Sequence, residues 1–222
     1  MDKNQQGVQF LQEGKYEEAA KLFQEAIDEN PKEPISYIHF GNLLAAIGDA
    51  EKAINFYHRA LELDASLATA YYGAANAFYM LGKHEEAKKM FLDALKNGIE
   101  HADAYFMLGM AHYQLGEVLY ALPYFQRAVE LKEDDAEAAF QYGLCLAHLE
   151  QVDAAIAQFE KALKLDKGKN TADIYYNLGV SHVYKEKLED GLAAFERALE
   201  LRPDHLLAAN GKKQIEERLS KH

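Results

Sequence analysis

The sequence contains few of the residues that crosslink a chain or interrupt its regular structure. Its single cysteine, Cys145, cannot form a disulfide within the chain, so a reducing compartment is expected. Only 4 prolines and 14 glycines occur among 222 residues, which leaves few breaks in regular structure. No run approaches about 18 consecutive apolar residues, and the first residues are polar rather than a signal-peptide core. These absences predict a soluble, cytoplasmic protein.

Positive charge is also scarce. The chain has 24 lysines and arginines against 36 aspartates and glutamates, which gives a net charge of −12 and a pI of about 5.2. Because an acidic chain repels phosphate groups, we expect neither a nucleic acid nor a membrane surface as partner. Acidic character is typical of a soluble surface and is compatible with basic partners.

The common catalytic and cofactor motifs are missing. The sequence has no glycine-rich dinucleotide or phosphate-binding loop and no H-E-x-x-H zinc motif, and none of its 9 histidines pairs with another His or a Cys at the i, i+4 spacing. We therefore expect no enzymatic activity, no cofactor and no metal site. His112 and His182 are expected to pack in the core, with a pH-sensitive role as the alternative. Cys145 is expected to be a small buried hydrophobe rather than a reactive thiol.

What the sequence does contain is an internal repeat. A bulky aromatic residue recurs at intervals of 34 residues, with one interval of 36: Phe23, Tyr57, Phe91, Phe125, Phe159 and Phe195. An alanine follows each aromatic three residues later, and a small residue precedes each by four. A further series of small residues lies upstream: Gly7, Gly41, Ala75, Gly109, Gly143 and Gly179. Agreement of four columns in six copies identifies six structural repeats.

The spacing within each copy predicts the architecture. Apolar and small residues at i, i+3, i+4 and i+7 share one face of a helix. We expect two helices in each copy and stacking of the copies, because one pair cannot bury its own apolar stripe. The repeats form one domain and cover about residues 1–33, 34–67, 68–101, 102–135, 136–171 and 172–205. A capping helix is predicted for residues 206–219, with these side chains facing inward: Leu206, Leu207, Ile215 and Leu219.

Three positions depart from the repeat. In the first four copies a glycine between the two helices suits a left-handed helix end: Gly14, Gly48, Gly82 and Gly116. Glu150 and Glu186 occupy that place in the last two copies, so we expect their turns to differ. Pro123 falls inside the second helix of the fourth copy, where it removes a backbone hydrogen bond. We expect a kink or a late helix start there.

The repeat resembles the tetratricopeptide repeat (TPR) family. The stretches Tyr105-x-x-Leu108-Gly109 and Tyr175-x-x-Leu178-Gly179 are similar to the aromatic, Leu and Gly positions of that family's pattern. The chain departs from it at Ala139, where the first aromatic is missing, and in having its closing proline in only two copies. The resemblance implies an all-α fold, a right-handed superhelical solenoid of six repeats with a C-terminal capping helix.

The resemblance also implies a concave surface lined by the first helix of each pair. In this sequence the matching positions are apolar and aromatic, with a few amides beside them. The candidate peptide-binding residues are Ile38, Asn42, Tyr72, Asn76, Tyr79, Met80, Phe106, Met107, Met110, Tyr113, Phe140, Gln141, Leu144, Tyr176 and Asn177. Exposed patches of this kind usually mark a binding surface. Since none of these residues is Lys or Arg, a clamp for a C-terminal carboxylate is not expected.

These features favour a protein-interaction scaffold or adaptor that holds a peptide or helical segment of another protein. The segment is expected to be apolar, with basic character as a further option, and the protein a monomer or a weak homo-oligomer. Two alternatives remain open. Curvature could bring the inner residues together so that they fill the surface themselves, or another copy of the chain could fill the groove. Simultaneous Tyr72→Ala, Phe106→Ala and Phe140→Ala changes are expected to abolish capture at an unchanged melting temperature.

Overall fold

The computed structural model describes residues 2–220, and all regular secondary structure in that part of the chain is α-helical. Its thirteen helices are α1 Lys3–Gln12, α2 Tyr16–Glu29, α3 Pro34–Ala46, α4 Ala50–Leu63, α5 Ala68–Met80, α6 His84–Lys96, α7 Ala102–Gln114, α8 Val118–Leu131, α9 Ala136–His148, α10 Val152–Leu165, α11 Thr171–Tyr184, α12 Leu188–Leu201 and α13 Leu206–Leu219. They form six helix–turn–helix pairs in chain order, followed by a single helix. The first helix of each pair is called the A helix below, and the second the B helix. The predicted six pairs and capping helix are confirmed.

The helices belong to two compact units, Met1–Gly116 and Glu117–His222. In the N-terminal unit three complete pairs, α1–α2, α3–α4 and α5–α6, stack in order and α7 packs on α6. In the C-terminal unit α8 packs on α9, the pairs α9–α10 and α11–α12 stack, and α13 packs on α12 and α11. Each unit therefore has its own core.

The recurring aromatic column forms the centre of both cores. All six side chains are almost fully buried: Phe23, Tyr57, Phe91, Phe125, Phe159 and Phe195. Phe195 shows why small residues surround this column. A Cβ built on Gly179 would lie 2.5 Å from the Phe195 ring, and one built on Gly211 would lie 2.6 Å from it. The ring thus fills the space that two glycines leave on neighbouring helices.

The turns of the last two pairs do not differ from the others. Glu150 and Glu186 have φ values of 58° and 60°, in the same left-handed region as Gly82 at 71°. The N–H of Glu150 donates to the Ala147 carbonyl oxygen at 3.1 Å, as that of Gly82 donates to Tyr79 at 2.9 Å. The expected difference was wrong, because packing of the two helices imposes the turn even on an unfavourable residue.

Pro123 does not delay the start of its helix. The helix α8 begins seven residues before Phe125, just as α6 begins seven residues before Phe91. Pro123 lies inside this helix and is exposed, so its ring displaces no core side chain. The late helix start was wrong, and a kink at Pro123 stays a prediction.

The orientation of α13 also differs from the expectation. Ile215 is buried as predicted, and Ala208 is buried with it, but Leu206, Leu207 and Leu219 are exposed. The buried residue His205 precedes the helix and accepts a hydrogen bond from the Ala208 N–H at 3.2 Å. Burial of positions seven residues apart, 208 and 215, shows which side of α13 faces the core. The predicted inward orientation of the three leucines was therefore wrong.

Among the described residues, none of the helices is both long and apolar enough to cross a membrane. The same residues 2–220 contain no cluster of three or more His, Cys, Asp or Glu side chains that could hold a metal ion.

Candidate functional site

The predicted site residues on α3 and α5 belong to the N-terminal unit, and they differ in accessibility. Ile38 is buried in the core, at 5% exposure. Asn42 is exposed, and its Oδ1 accepts a hydrogen bond from the Tyr57 hydroxyl at 2.8 Å. Met80, the last residue of α5, is 59% exposed. Of these three side chains, Asn42 and Met80 can meet a ligand and Ile38 cannot.

Three further candidates on α5 are half-buried: Tyr72, Asn76 and Tyr79. The Tyr72 ring packs against His101 at a centroid distance of 4.9 Å, and its hydroxyl donates a hydrogen bond to Asp103. The Asn76 amide donates to the Tyr72 carbonyl oxygen on its own helix at 3.1 Å. Both side chains are thus partly engaged inside the protein.

The candidates on α7 are half-buried apolar side chains on one helix: Phe106, Met107, Met110 and Tyr113. They alternate with the buried residues Leu108, Ala111 and His112, which face the core. The α7 candidates are therefore brought together at the boundary between core and solvent.

The candidates of the C-terminal unit include a second buried residue. Phe140 is only 7% exposed and packs against Phe159 at a centroid distance of 5.9 Å. Gln141 donates to Glu137 at 3.0 Å, and Asn177 donates to the carbonyl oxygen of Asp173 at 2.8 Å. Leu144 on α9 and Tyr176 on α11 are half-buried. Since truncation of a buried Phe costs about 3–5 kcal/mol, Phe140→Ala would lower the melting temperature, contrary to the expectation for the triple variant.

An open apolar cleft lies between α11 and α13, with a volume of about 390 Å³. Phe195 and Ile215, both buried, form its floor. The α11 side presents Tyr176, Val180 and Val183, and Val180 is 44% exposed. The α13 side presents Leu207, 59% exposed, together with the polar residues Asn210, Gln214 and Arg218. No side chain of the described chain fills this cleft.

The sequence-based candidates include one wall of this cleft and omit the other. Tyr176 was among them, but the repeat positions of the candidates were not extended into the capping helix. A further step of 34 residues leads from Tyr176 to Asn210 and from Val180 to Gln214. The repeat itself therefore carried a signal for the second wall.

The helix pairs of this chain are shared with known proteins. Three models, each described as a tetratricopeptide repeat, match residues 10–66, 72–136 and 134–204. A solved structure of YrrB, "a TPR protein with an unusual peptide-binding site", is 46% identical, with a TM-score of 0.83 over 87% of this chain and 99% of that chain. The chain belongs to the tetratricopeptide repeat family.

Other similar proteins are more distant or match over a shorter stretch. The curated TPR repeat-containing protein YrrB of Bacillus subtilis (strain 168) is 49% identical over 41 residues, so this alignment spans 18% of the present chain and 20% of that protein. A MamA structure from Desulfovibrio magneticus RS-1 has a TM-score of 0.70 at 22% identity, over 78% of this chain and 97% of that one. PilF of Pseudomonas aeruginosa has a TM-score of 0.79 at 17% identity, over 96% of both chains. MamA and PilF show the fold alone.

Carboxylates at the starts of the TPR A helices are held by neighbouring residues. Arg202 donates two hydrogen bonds to Asp173, at 2.9 and 2.6 Å, and holds the pKa of this carboxyl below its usual value. Glu137 accepts a hydrogen bond from Asn170 at 2.6 Å. Such partners compete with a basic ligand for these carboxylates.

The single thiol of this TPR chain lies in the core. Cys145 is fully buried, and its Sγ donates a hydrogen bond to the Val118 carbonyl oxygen at 3.2 Å. Burial raises the pKa of the Cys145 thiol to about 11, because the thiolate would lose its hydration. The residue is therefore a protonated packing group, which agrees with the expected small buried hydrophobe.

Proposed function

We propose that this TPR chain is a protein-interaction module that holds an apolar peptide segment of a partner against its A-type helices. The observation that supports it most is the cleft between α11 and α13. A concave apolar site with a few polar groups at its rim is the usual form of a ligand-binding pocket.

The side chains around the cleft are suited to this role. Val180 and Leu207 are large aliphatic residues that lie on opposite walls and remain exposed. Burying such side chains stabilises a complex by roughly 25 cal/mol per Å² of apolar surface removed from water. The floor residues Phe195 and Ile215 are held by the core, so the site is formed before a ligand arrives.

Two further observations support a peptide as the ligand. A structure that is 46% identical to this chain is described as having a peptide-binding site. In the N-terminal unit, Asn42 and Met80 are exposed on A helices and offer polar and flexible apolar contacts of the kind found at interfaces. We propose that these residues bind protein segments as well. The role of a cytoplasmic scaffold or adaptor is part of the same proposal.

The proposal is tested by panning a phage-displayed library of random dodecapeptides against the purified full chain. We expect aliphatic peptides to be enriched on the wild type and the enrichment to be lost in a Val180→Ser, Leu207→Ser double variant. The matched control is Leu131→Ser with Leu201→Ser, which alters two exposed leucines of B helices in the same unit. Because all four side chains are exposed, both variants should fold and keep the wild-type melting temperature.

Two results would count against the proposed function. One is a wild-type chain that enriches no peptide, and the other is equal enrichment by the wild type and the Val180, Leu207 variant. Light scattering across a dilution series tests the self-assembly alternative. A dilute monomer that still binds the selected peptides would exclude an assembly in which a second copy of the chain must fill the groove.

A further inference from the structure

The cleft between α11 and α13 has two chemically different walls. On α11 the positions that face it are aromatic or aliphatic, among them Tyr176 and Val180. On α13 the positions one repeat later are Asn210 and Gln214, and Arg218 follows one turn beyond. An apolar wall on α11 therefore opposes a wall on α13 in which Leu207 is followed by three polar residues.

The three polar residues form a single line along α13. Asn210, Gln214 and Arg218 are four residues apart, so they lie on the same side of the helix and span roughly 12 Å at 1.5 Å per residue. All three are exposed, and none of their side chains forms a hydrogen bond or ion pair with another residue of the part of the chain that the structure describes. Their donors are thus available along the length of about four extended peptide residues.

Arg218 is also the one Lys or Arg in its column of the repeat. The corresponding residues in the earlier copies are neither Lys nor Arg: Gln12, Ala46, Met80, Gln114, His148 and Tyr184. Two carboxylates, one on α11 and one on α13, have basic partners of their own. Asp173 is bound by Arg202 at 2.6 Å, and Glu217 lies 3.9 Å from Lys213. Within residues 2–220 the Arg218 guanidinium has no ion-pair partner, so it gives the rim of the cleft a local positive charge within an acidic chain.

We infer that the cleft takes a peptide segment that combines an aliphatic side chain with a carboxylate. The aliphatic group lies between Val180 and Leu207, and the carboxylate pairs with Arg218. Asn210 and Gln214 donate hydrogen bonds to backbone carbonyl oxygens between these two anchors. Guanidinium–carboxylate pairs are short, directional and stronger than neutral hydrogen bonds, so Arg218 sets the charge preference of the site.

This inference rests on the proposed function, because it names the chemistry of the segment that the cleft would hold. It differs from the expectation of a basic ligand drawn from the net charge of −12. The overall charge acts over a Debye length of about 8 Å at physiological salt, whereas Arg218 acts at contact distance. Local charge therefore decides which segment stays bound.

A charge-reversal experiment tests the inference. The dodecapeptide library is panned in parallel against wild type, Arg218→Glu and Lys213→Glu at 0.15 M salt. Peptides selected by the wild type should be enriched in Asp or Glu close to an aliphatic residue. Arg218→Glu should lose this enrichment and gain Lys or Arg. Lys213→Glu makes the same change of net charge on the exposed side of α13 and should select the wild-type motif.

One selected acidic peptide is then measured by fluorescence anisotropy. Its affinity should fall at least about tenfold on Arg218→Glu and by less than about twofold on Lys213→Glu. Aliphatic peptides selected with no acidic preference, or with the same preference by wild type and Arg218→Glu, would overturn the inference and leave the proposed function standing. Failure of the proposed function gives a different result, the absence of any selected peptide that depends on Val180 and Leu207.

Discussion

Gly211 on α13 lies directly against the ring of Phe195 on α12. A Cβ built on Gly211 would come within 2.6 Å of two ring atoms, a distance that real Cβ atoms essentially never show. The ring cannot move away, because Gly179 confines its other side and the side chain is buried. The capping helix is therefore held at a distance that only a residue without a side chain allows.

Replacement of Gly211 by alanine should destabilise the C-terminal unit. Overpacking of a filled core costs about 1–3 kcal/mol, and the better helix propensity of alanine returns up to about 1 kcal/mol. We expect a net loss of about 1 kcal/mol or more, measured by denaturant unfolding. Lys213→Ala, on the exposed side of the same helix, should change the stability by less than about 0.5 kcal/mol. Equal stability of wild type and Gly211→Ala would contradict the close contact.

The two glutamates with left-handed backbones offer a stabilising change. Replacing Glu150 and Glu186 by glycine removes a penalty of about 1–2 kcal/mol per residue, while the greater freedom of glycine in the unfolded chain takes back about 0.4–1 kcal/mol. We expect each change to raise the free energy of unfolding by about 0.5–1 kcal/mol. The opposite change at Gly82, to alanine, should lower it. A destabilised Glu150→Gly variant would show that this side chain makes a contact that outweighs its backbone strain.

His39 should make the N-terminal unit sensitive to pH. Burial lowers the pKa of this imidazole below its usual value of 6.5, and the ring packs on Phe23 at a centroid distance of 5.6 Å. The unfolded chain therefore binds a proton at a pH where the folded unit does not. Stability contributed by the neutral ring is complete above about pH 6.5 and is lost as the pH falls toward the folded pKa.

Unfolding in urea between pH 7.5 and 5.5 measures this effect. A His39→Phe variant keeps an aromatic ring on Phe23 and should show a smaller loss of stability over that range. His58→Gln, which removes an exposed histidine of the same unit, is the matched control. The same slope in wild type and His39→Phe would rule out His39 as its source.

Leu119 stands where the other B helices have an acidic residue. The corresponding residues are Glu17, Glu51, Glu85, Asp153 and Glu189. Leu119 is exposed and lies in the first turn of α8, where a carboxylate interacts favourably with the helix dipole. Leu119→Glu should stabilise the chain by about 0.3–1 kcal/mol in thermal unfolding at low salt. Leu119→Gln, which removes the same apolar surface without adding charge, should gain less. No advantage of Glu over Gln would contradict the dipole argument.

The spacing of residues along the chain is sufficient to predict the helices, but it does not predict which side chains beside the core are exposed. The 34-residue columns predict all six pairs, because periodic apolar and small residues define which face of each helix is buried. They do not predict that Ile38 and Phe140 are buried, since a side chain beside the core-facing stripe of a helix can face either the core or the solvent. The left-handed backbone of Glu150 has a related cause, because the packed helices impose a turn that the residue's own preference opposes.

The sequence by itself determined the repeat, the helix pairs and the family, since these depend on spacing along the chain. Tertiary structure decided how α13 is rotated and thus which of its residues meet solvent. That rotation depends on the contact between Gly211 on α13 and Phe195 on α12, which lie on different helices. The cleft of the C-terminal unit exists because this packing buries Ala208 and Ile215 and leaves Leu207 and Arg218 at its edge.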